Sequence, residues 1–372
     1  MIPLLRLIGK LVGTLAVPLD PGHAKKVLVA DLSFIGDIVM TSVTHSAVRR
    51  NLPGAAIHVF GFPVVKTILP LLPVIDVLHA VPGDGKLKQV AAALRLRRER
   101  YDLAIHLNTG LWVNFLVWIT GARLRLGYDF RGRGCFNNIR IPISARTVRT
   151  QYRPRECAEL LERAFGWKVT DLGPSLTVDD AVSRKVRDKL RAWVVADGDF
   201  LVGIHTSSRQ DREIRCWEER KFAVVANHLI SRHNAKIIFT DVAADRVFVE
   251  PILAGIERKD RIVDAMGQTT IPEFCALLKR MDLLLTINTA SMHLAVAMGT
   301  PLVAVLGYAP PHIYFPPGDP KFQYVMDSAL GKYDPQLLVQ KEPSQVREIP
   351  VEAVLEKVEY LIRHVIQNRK IS

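Results

Sequence analysis

The chain has no CxxC pair, no GxGxxG turn behind its first apolar strand, and no unbroken run of about 20 apolar residues. Each absence excludes something. The four cysteines, Cys135, Cys157, Cys216 and Cys275, are scattered. They suit a reducing compartment and argue against a disulfide scaffold or a zinc site. No membrane-spanning helix is expected. There is no helix-turn-helix, RRM or zinc-finger pattern, and aromatics are not interleaved with the basic residues, so the chain does not read as a nucleic-acid binder. No repeat or low-complexity tract appears. Acidic residues are scarce in one place: residues 86–155 hold 15 Lys/Arg against Glu99, Asp102 and Asp129, a balance of +12 in a chain whose net charge is +13. Such a cluster can attract a phosphorylated or otherwise acidic partner, or an anionic membrane surface. A merely solvated basic face is the alternative.

At 372 residues, nearly half of them apolar, the chain is long enough for two domains with a core each. In residues 1–19, Leu4, Leu5, Ile8, Leu11, Val12 and Leu15 recur at helical spacing, with Arg6 and Lys10 on the opposite side. This reads as an amphipathic helix lying on a membrane surface or packed on the domain. A signal peptide is disfavoured by the interrupting charges and the lack of a small-residue cleavage site.

Apolar strands then alternate with helical patterns, which implies right-handed βαβ units and a parallel sheet. Strands are expected at 27–30, 56–60, 77–80 and 103–107, with helices at 41–51, 87–100 and 153–166. The Gly-Pro-containing stretch 170–180 marks a break. The pattern restarts with strands at 201–205, 236–240, 261–264, 283–286 and 301–306, and helices at 181–197, 218–233, 247–256, 271–279 and 291–297. Val354, Val358, Leu361, Ile362 and Val365 make one apolar stripe on a closing helix, 351–367. The expected division is an amphipathic segment 1–22, a first domain 23–172 and a second domain 173–372. Two doubly wound domains in tandem would form a cleft at the carboxyl ends of their strands.

Three strand-end loops carry chemistry. In VLVADLSFIGDIVMT, 27–41, a strand runs into a turn containing Ser33 and Gly36, and Asp37 follows at the start of a helix. A carboxylate there can act as a general base toward a bound hydroxyl, or simply complement the helix dipole. In IHTSSRQDREIRCW, 204–217, the hydroxyls of Ser207 and Ser208 and the arginines Arg209, Arg212 and Arg215 follow a strand end. An arginine there can clamp a diphosphate. In INTASMHLAVAMG, 287–299, Asn288, Thr289, Ala290 and Ser291 end a strand and open a helix whose N–H groups can hold an anion. His293 in its first turn can donate to a phosphate or be structural.

Taken together these pieces resemble the glycosyltransferase family of the ADP-heptose:lipopolysaccharide heptosyltransferases. The resemblance runs from about Lys26 to Gln367. It rests on LSFIGDIVMT (32–41), YDLAIHLNTG with GARLRLGYD (101–129), RCWEERKFAVVANHL (215–229), GQTTIPEFCALLKRMDLLLTIN (267–288) and MHLAVAMGTPLVAVLG (292–307). It implies an α/β GT-B fold, two Rossmann-like doubly wound domains facing across a cleft, with a C-terminal helix closing the chain. It implies inverting, metal-independent transfer of a heptose-like sugar from a nucleotide diphosphate, ADP-heptose being favoured, to a lipopolysaccharide core or related envelope glycan. The nucleotide sugar is a co-substrate and no cofactor is implied. The donor would bind the second domain and the acceptor the first.

By motif, Asp37 looks like the catalytic base, with Ser33 and Gly36 in the acceptor or phosphate loop. Arg215 stands where the family usually has the lysine of K-x-W. Asn288, Thr289 and Ala290 stand at its D-[ST]-G, followed by His293; Ser207 and Ser208 join them on the donor side. Asp245 matches an acidic position that binds ribose, and Thr269 lies in a loop near the base. The departures are Asn288 for aspartate, Ala290 for glycine, Arg215 for lysine, Thr240-Asp241-Val242-Ala243-Ala244 for a glycine-rich strand end, and Asp31 for a basic residue. The acceptor would be an anionic glycolipid or glycan, met at the cytoplasmic face of the inner membrane. The alternatives are a transferase acting on a protein or secondary metabolite, a non-catalytic sugar-nucleotide-binding or assembly protein of the same fold, and, weakly, an NAD-type oxidoreductase.

Overall fold

The computed structural model describes residues 21–144, 151–174, 176–206, 212–307, 310–327 and 345–367. The amphipathic segment 1–19 lies outside the described residues, as do Ser207, Ser208 and Arg209. The chain divides into two compact units, Met1–Thr177 and Val178–Ser372, where the sequence pattern puts the break at 172/173.

The first unit is a six-stranded sheet: β1 (Lys26–Asp31), β2 (Ala56–Gly61), β3 (Val77–Ala80), β4 (Leu103–His106), β5 (Leu124–Phe130) and β6 (Ile139–Ile143). All pairings are parallel, in the order β3-β2-β1-β4-β5-β6. The helices are α1 (Ile35–Asn51), α2 (Lys86–Arg95), α3 (Leu111–Ile119) and α4 (Arg153–Phe165). Val27, Leu28, Val29 and Ala30 are fully buried, as a parallel strand covered on both faces requires. One core lies on each side: Val29, Val43, Ile57, Ile105 and Leu161 belong to one, and Leu28, Phe60, Tyr101 and Leu116 to the other.

The second unit repeats this plan with α5 (Asp180–Ala192), β7 (Leu201–His205), α6 (Glu219–His233), β8 (Lys236–Phe239), α7 (Arg246–Gly255), β9 (Ile262–Asp264), α8 (Ile271–Arg280), β10 (Leu283–Ile287), α9 (Ala290–Met298), β11 (Leu302–Leu306), β12 (Phe322–Met326) and α10 (Val351–Leu361). Its parallel order, β12-β11-β10-β7-β8-β9, is the first unit's order counted from β7. Both sheets therefore have the doubly wound order 3-2-1-4-5-6, which reverses between the first and fourth strands. Local signals agree with the fold. Thr270 and Glu273 make a reciprocal capping box at the start of α8, and Gly166 ends α4 in the left-handed region.

The structure departs from the sequence expectations in four places. Helix α1 begins at Ile35, six residues before the expected 41, so Asp37 stands in the first turn of a helix, as its motif implied, while Gly36 lies inside that helix and not in a preceding turn. The expected helix 87–100 is α2 followed by a tighter turn, Leu96–Glu99. Helix α3 is nearly uniformly apolar and so shows no helical period. Strands β5, β6 and β12 were not anticipated. β5 carries Arg125, which is buried because its guanidinium donates to the carbonyls of Phe136 (2.9 Å) and Ala122 (2.8 Å). β6 carries Pro142, tolerated because the strand is at the sheet edge.

Candidate active site

In each unit the strand order reverses between two adjacent strands, and doubly wound sheets bind ligands outside the carboxyl ends at that point. In the first unit these are β1 and β4. The chain leaves β1 through Leu32, Ser33 and Phe34 and enters α1 with Phe34 as N-cap, so Asp37 occupies the third helical position. Asp37 is solvent-exposed. A carboxylate in the first turn of a helix is stabilised as the anion by the free N–H groups there.

The loop is braced from β4. Asn108 Oδ1 accepts from Leu32 N (3.2 Å) and its Nδ2 donates to Ser33 Oγ (3.2 Å). His106 lies between Asn108 O (2.9 Å, from Nδ1) and Asn137 Oδ1 (3.0 Å, from Nε2). Its ring sits over Gly127, where a Cβ would meet Nε2 at 1.8 Å. Only glycine leaves room for this imidazole.

Beneath the loop, Asp31 is fully buried and accepts from Thr41 Oγ1 at 2.6 Å. Burial raises its carboxyl above the usual carboxylate range; the hydroxyls of Ser33 and Thr41 pull it back, and the Asp37 charge pushes it up again. A cation comes from elsewhere in the chain. Arg153, in the first turn of α4, donates to Leu107 O (2.6 Å) and pairs with Glu156 (2.5 Å). Burial opposes its charge, but Glu156, Cys157, Asp31 and Asp37 outweigh that and keep it protonated. So where the resemblance implies a basic residue six positions before Asp37, this chain places an acid on β1, and the cation near it comes from α4. Sequence reasoning missed Arg153; the Arg-Pro at a helix start, 153–154, was the available signal.

In the second unit the reversal lies between β7 and β10. Asp241, just past β8, is fully buried and accepts from Thr206 N (2.9 Å) and Thr206 Oγ1 (3.3 Å), tying two strand ends together. A short helical turn, Arg212–Arg215, follows. Arg212 is committed to structure: it pairs with Glu219 (2.9 Å), and its guanidinium lies 3.4 Å from the Phe248 ring centroid. Arg215 reaches the other strand end, donating from Nη1 to Asn288 O at 3.3 Å. Of the two, Arg215 faces the reversal point.

Thr289 is the N-cap of α9, yet its hydroxyl bonds Ser291 Oγ (2.6 Å) and makes no capping bond, so the first N–H groups of the helix are not consumed by it. Ala290 is the first helical residue. His293, nearly buried, packs edge-on against Tyr314 at 5.1 Å. Burial, and then the Arg215 charge, push its pKa down to about 4, so it is a neutral imidazole at neutral pH. Asp245 is 5% exposed, at the mouth of α7. Thr269 follows Gly267, whose positive φ of 68° and whose distance of only 2.6 Å from a built Cβ to the Ala243 methyl demand glycine. That close approach brings the loops of Asp245 and Thr269 together.

The residues expected from sequence thus fall into two groups. Ser33, Gly36 and Asp37 stand at the first unit's reversal point. Arg215, Asn288, Thr289, Ala290 and His293 stand at the second's, with Asp245 and Thr269 on neighbouring loops. The basic stretch is dispersed: Arg125 and Arg153 serve the interior, and Lys86, Lys88, Arg97, Arg98 and Arg123 are exposed.

The sequence model of glycosyltransferase family 9 (heptosyltransferase) matches residues 90–333. The chain belongs to that family. Lipopolysaccharide heptosyltransferase 3 of Escherichia coli K12 is 26% identical over 346 residues, covering 89% of this chain and 96% of that protein. Among solved structures, E. coli ADP-heptose lps heptosyltransferase II superposes with a TM-score of 0.70 at 20% identity, over 91% of this chain and 98% of the other. E. coli heptosyltransferase WaaC with ADP-2-deoxy-2-fluoro heptose gives 0.65 at 14% identity, over 90% and 99%. The family 9 chain is a glycosyltransferase, and its α/β architecture is the GT-B fold of these neighbours.

Proposed function

We propose that the chain transfers a heptose from ADP-heptose to a lipopolysaccharide core, with inversion and without a metal, and that Asp37 is the general base. The observation that carries the reading is the exposed carboxylate of Asp37 in the first turn of α1, at the reversal point of a doubly wound sheet. The relatives are lipopolysaccharide heptosyltransferases, and the WaaC neighbour binds an ADP-linked fluoroheptose.

In the proposed step the acceptor hydroxyl forms a bond to the anomeric carbon from the face opposite the diphosphate. Its proton passes to Asp37, and the bond between the anomeric carbon and the diphosphate oxygen breaks. The diphosphate leaves as an anion. Arg215, the first N–H groups of α9 from Ala290 onward, and His293 would stabilise the charge that develops there, the largest lever in such a reaction. Ser207 and Ser208 would add hydroxyl contacts, Asn288 would hold the sugar, and Asp245 and Thr269 would flank the nucleoside. Ser33 and Gly36 would line the acceptor side. The basic residues of the first unit fit a phosphorylated acceptor.

Among the described residues, no helix is long and apolar enough to cross a membrane. Residues 1–19 would dock the enzyme on the inner face of the inner membrane. The test is transfer of radiolabel from ADP-heptose to a heptose-deficient lipopolysaccharide core, with Asp37→Asn as control. Product with the native chain and none with the variant supports the reading. No transfer from ADP-, UDP- or GDP-sugars to glycan, protein or small-molecule acceptors would overturn it.

A second reading is motivated by Asn288 and Ala290. Loss of a carboxylate and of a glycine at the usual D-[ST]-G fits a protein that binds sugar nucleotides without transferring them. Calorimetry separates the two: nucleotide binding without turnover favours the binder.

A further inference from the structure

On the second unit, three groups outside the proposed active site converge on one point. His228 and His233 lie on α6 and Glu359 on α10. Their ligand atoms all lie within 4.8 Å of one another. Both imidazoles direct Nε2 at the same oxygen, Glu359 Oε1, at 2.8 and 2.7 Å. All three side chains are largely shielded, with exposures of 27%, 20% and 19%. We propose that His228, His233 and Glu359 form a binding site for a divalent transition-metal ion, with Zn²⁺ the best fit.

Four considerations support this. Two imidazoles and one carboxylate are a donor set of borderline softness, suited to zinc and unlike the all-oxygen sets of Mg²⁺ or Ca²⁺. Zinc bonds of about 2.0–2.2 Å to nitrogen and oxygen would need only a small outward movement of the three atoms, with water completing a tetrahedron. His233 is the last residue of α6, and Asn234 ends the helix in the left-handed region at φ 49°; a cation there meets the negative end of the helix dipole. Finally, the helix carrying Glu359 widens into a π-turn, Ile362–Ile366, directly after it, a local irregularity common at functional positions. Among the described residues, Arg363 is the cation paired with Glu359, 3.7 Å from Oε2, and it leaves Oε1 to the imidazoles.

The site's place in the fold defines its role. α6 runs from the carboxyl edge of the sheet, near Arg215, to the opposite edge, where β8 begins. His233 is at that far end, with its ring 6.2 Å from Phe200 just ahead of β7. A metal there would staple α10 onto α6 and take no part in transfer. Cysteine spacing, on which the sequence argument against a zinc site rested, carries no information about it: His233 and Glu359 are 126 residues apart.

The untagged full chain, stripped with chelator, should bind one Zn²⁺ and no Mg²⁺ by competition against a chromogenic chelator. Its thermal midpoint should rise with Zn²⁺, and Co²⁺ should give the visible absorption of a tetrahedral site. His228→Gln, His233→Gln and Glu359→Gln should each weaken zinc binding by at least about tenfold, the scale of loss that even outer partners of a metal site produce. Glu359→Gln keeps a hydrogen-bond acceptor, which preserves the helix contact; should a variant not fold, the cobalt spectrum of the native chain decides. Absence of bound zinc in the native chain, or unchanged affinity in folded variants, overturns the site and leaves a hydrogen-bonded clasp. The outcome is independent of which sugar the enzyme transfers.

Discussion

The two units share one strand order and differ in the charge at its reversal. In the first, Asp37 stands exposed above the buried Asp31, and the nearby cation, Arg153, is already engaged with Leu107 O and Glu156. In the second, Arg215 and the N-terminus of α9 face the reversal, and the buried acid Asp241 is occupied by Thr206. Topology alone predicts a ligand at both places and says nothing of its sign. In the proposed reaction the side chains would supply that: a proton acceptor in one unit, an anion holder in the other. A glycosyl transfer needs both.

The largest expected effect falls on the acid side. Asp37→Asn should lower the transfer rate by about 10²–10⁴-fold, the usual contribution of a general base, with nucleotide affinity unchanged by calorimetry. Loss of nucleotide binding as well would break the division of labour. Next comes the cationic side. Arg215→Ala should cost about 10²–10³-fold in kcat, comparable to removing one preorganised donor from a developing anion. Arg215→Lys should recover part of it, because the charge matters more than the fork.

A smaller contrast concerns packing. Gly127→Ala places a methyl 1.8 Å from the His106 ring, which Asn108 and Asn137 hold fixed. Gly203→Ala meets Met281 Sδ at 2.5 Å, the flexible end of a side chain. The first should destabilise by about 1–3 kcal/mol, the ordinary range for overpacking, and the second by less, as read from urea midpoints. Equal losses would mean that His106 can move aside.

The last contrast is pH. Burial holds both His45 and His293 down to about 4, below the model-peptide value of 6.5. The unfolded chain therefore binds more protons between those values, and stability falls as pH drops from about 6.5 to about 4. Asp31, raised by burial, works the other way in the first unit, since a raised carboxyl loses stability as pH rises. Hydrogen exchange at pH 5 should show the second unit losing protection before the first; the reverse order would contradict the neutral His293.

Much of this architecture was legible because parallel strands buried on both faces announce themselves as apolar runs. The strands at 27–30, 201–205 and 283–286 appear nearly where the run-and-turn pattern put them. β5 was hidden by Arg125, whose burial is satisfied by the nearby Ala122 carbonyl and by the Phe136 carbonyl, which only the folded chain brings near. α3 was hidden by too much apolarity, which erases period. Of the crevice residues, those on strand-end loops were readable because the loop follows its strand directly. Arg153 was not, because its partners Leu107, Asp31 and Asp37 lie on other elements, and no local pattern encodes that meeting.

The closing helix also bears on how the chain reaches its fold. Trp217 Nε1 donates to Ile349 O across 132 residues, and α10 packs on α6 and β11. The first unit makes a return of its own, α4 packing on α1, but all of it lies within residues 1–177, so during synthesis it can close while the second is still being made. The second cannot complete its core until its final helix arrives, some 130 residues after the tryptophan it must cover. The last long-range closure therefore falls on the half that carries Arg215, and a pause or truncation before residue 351 would leave a folded acid-bearing unit joined to an unfinished one.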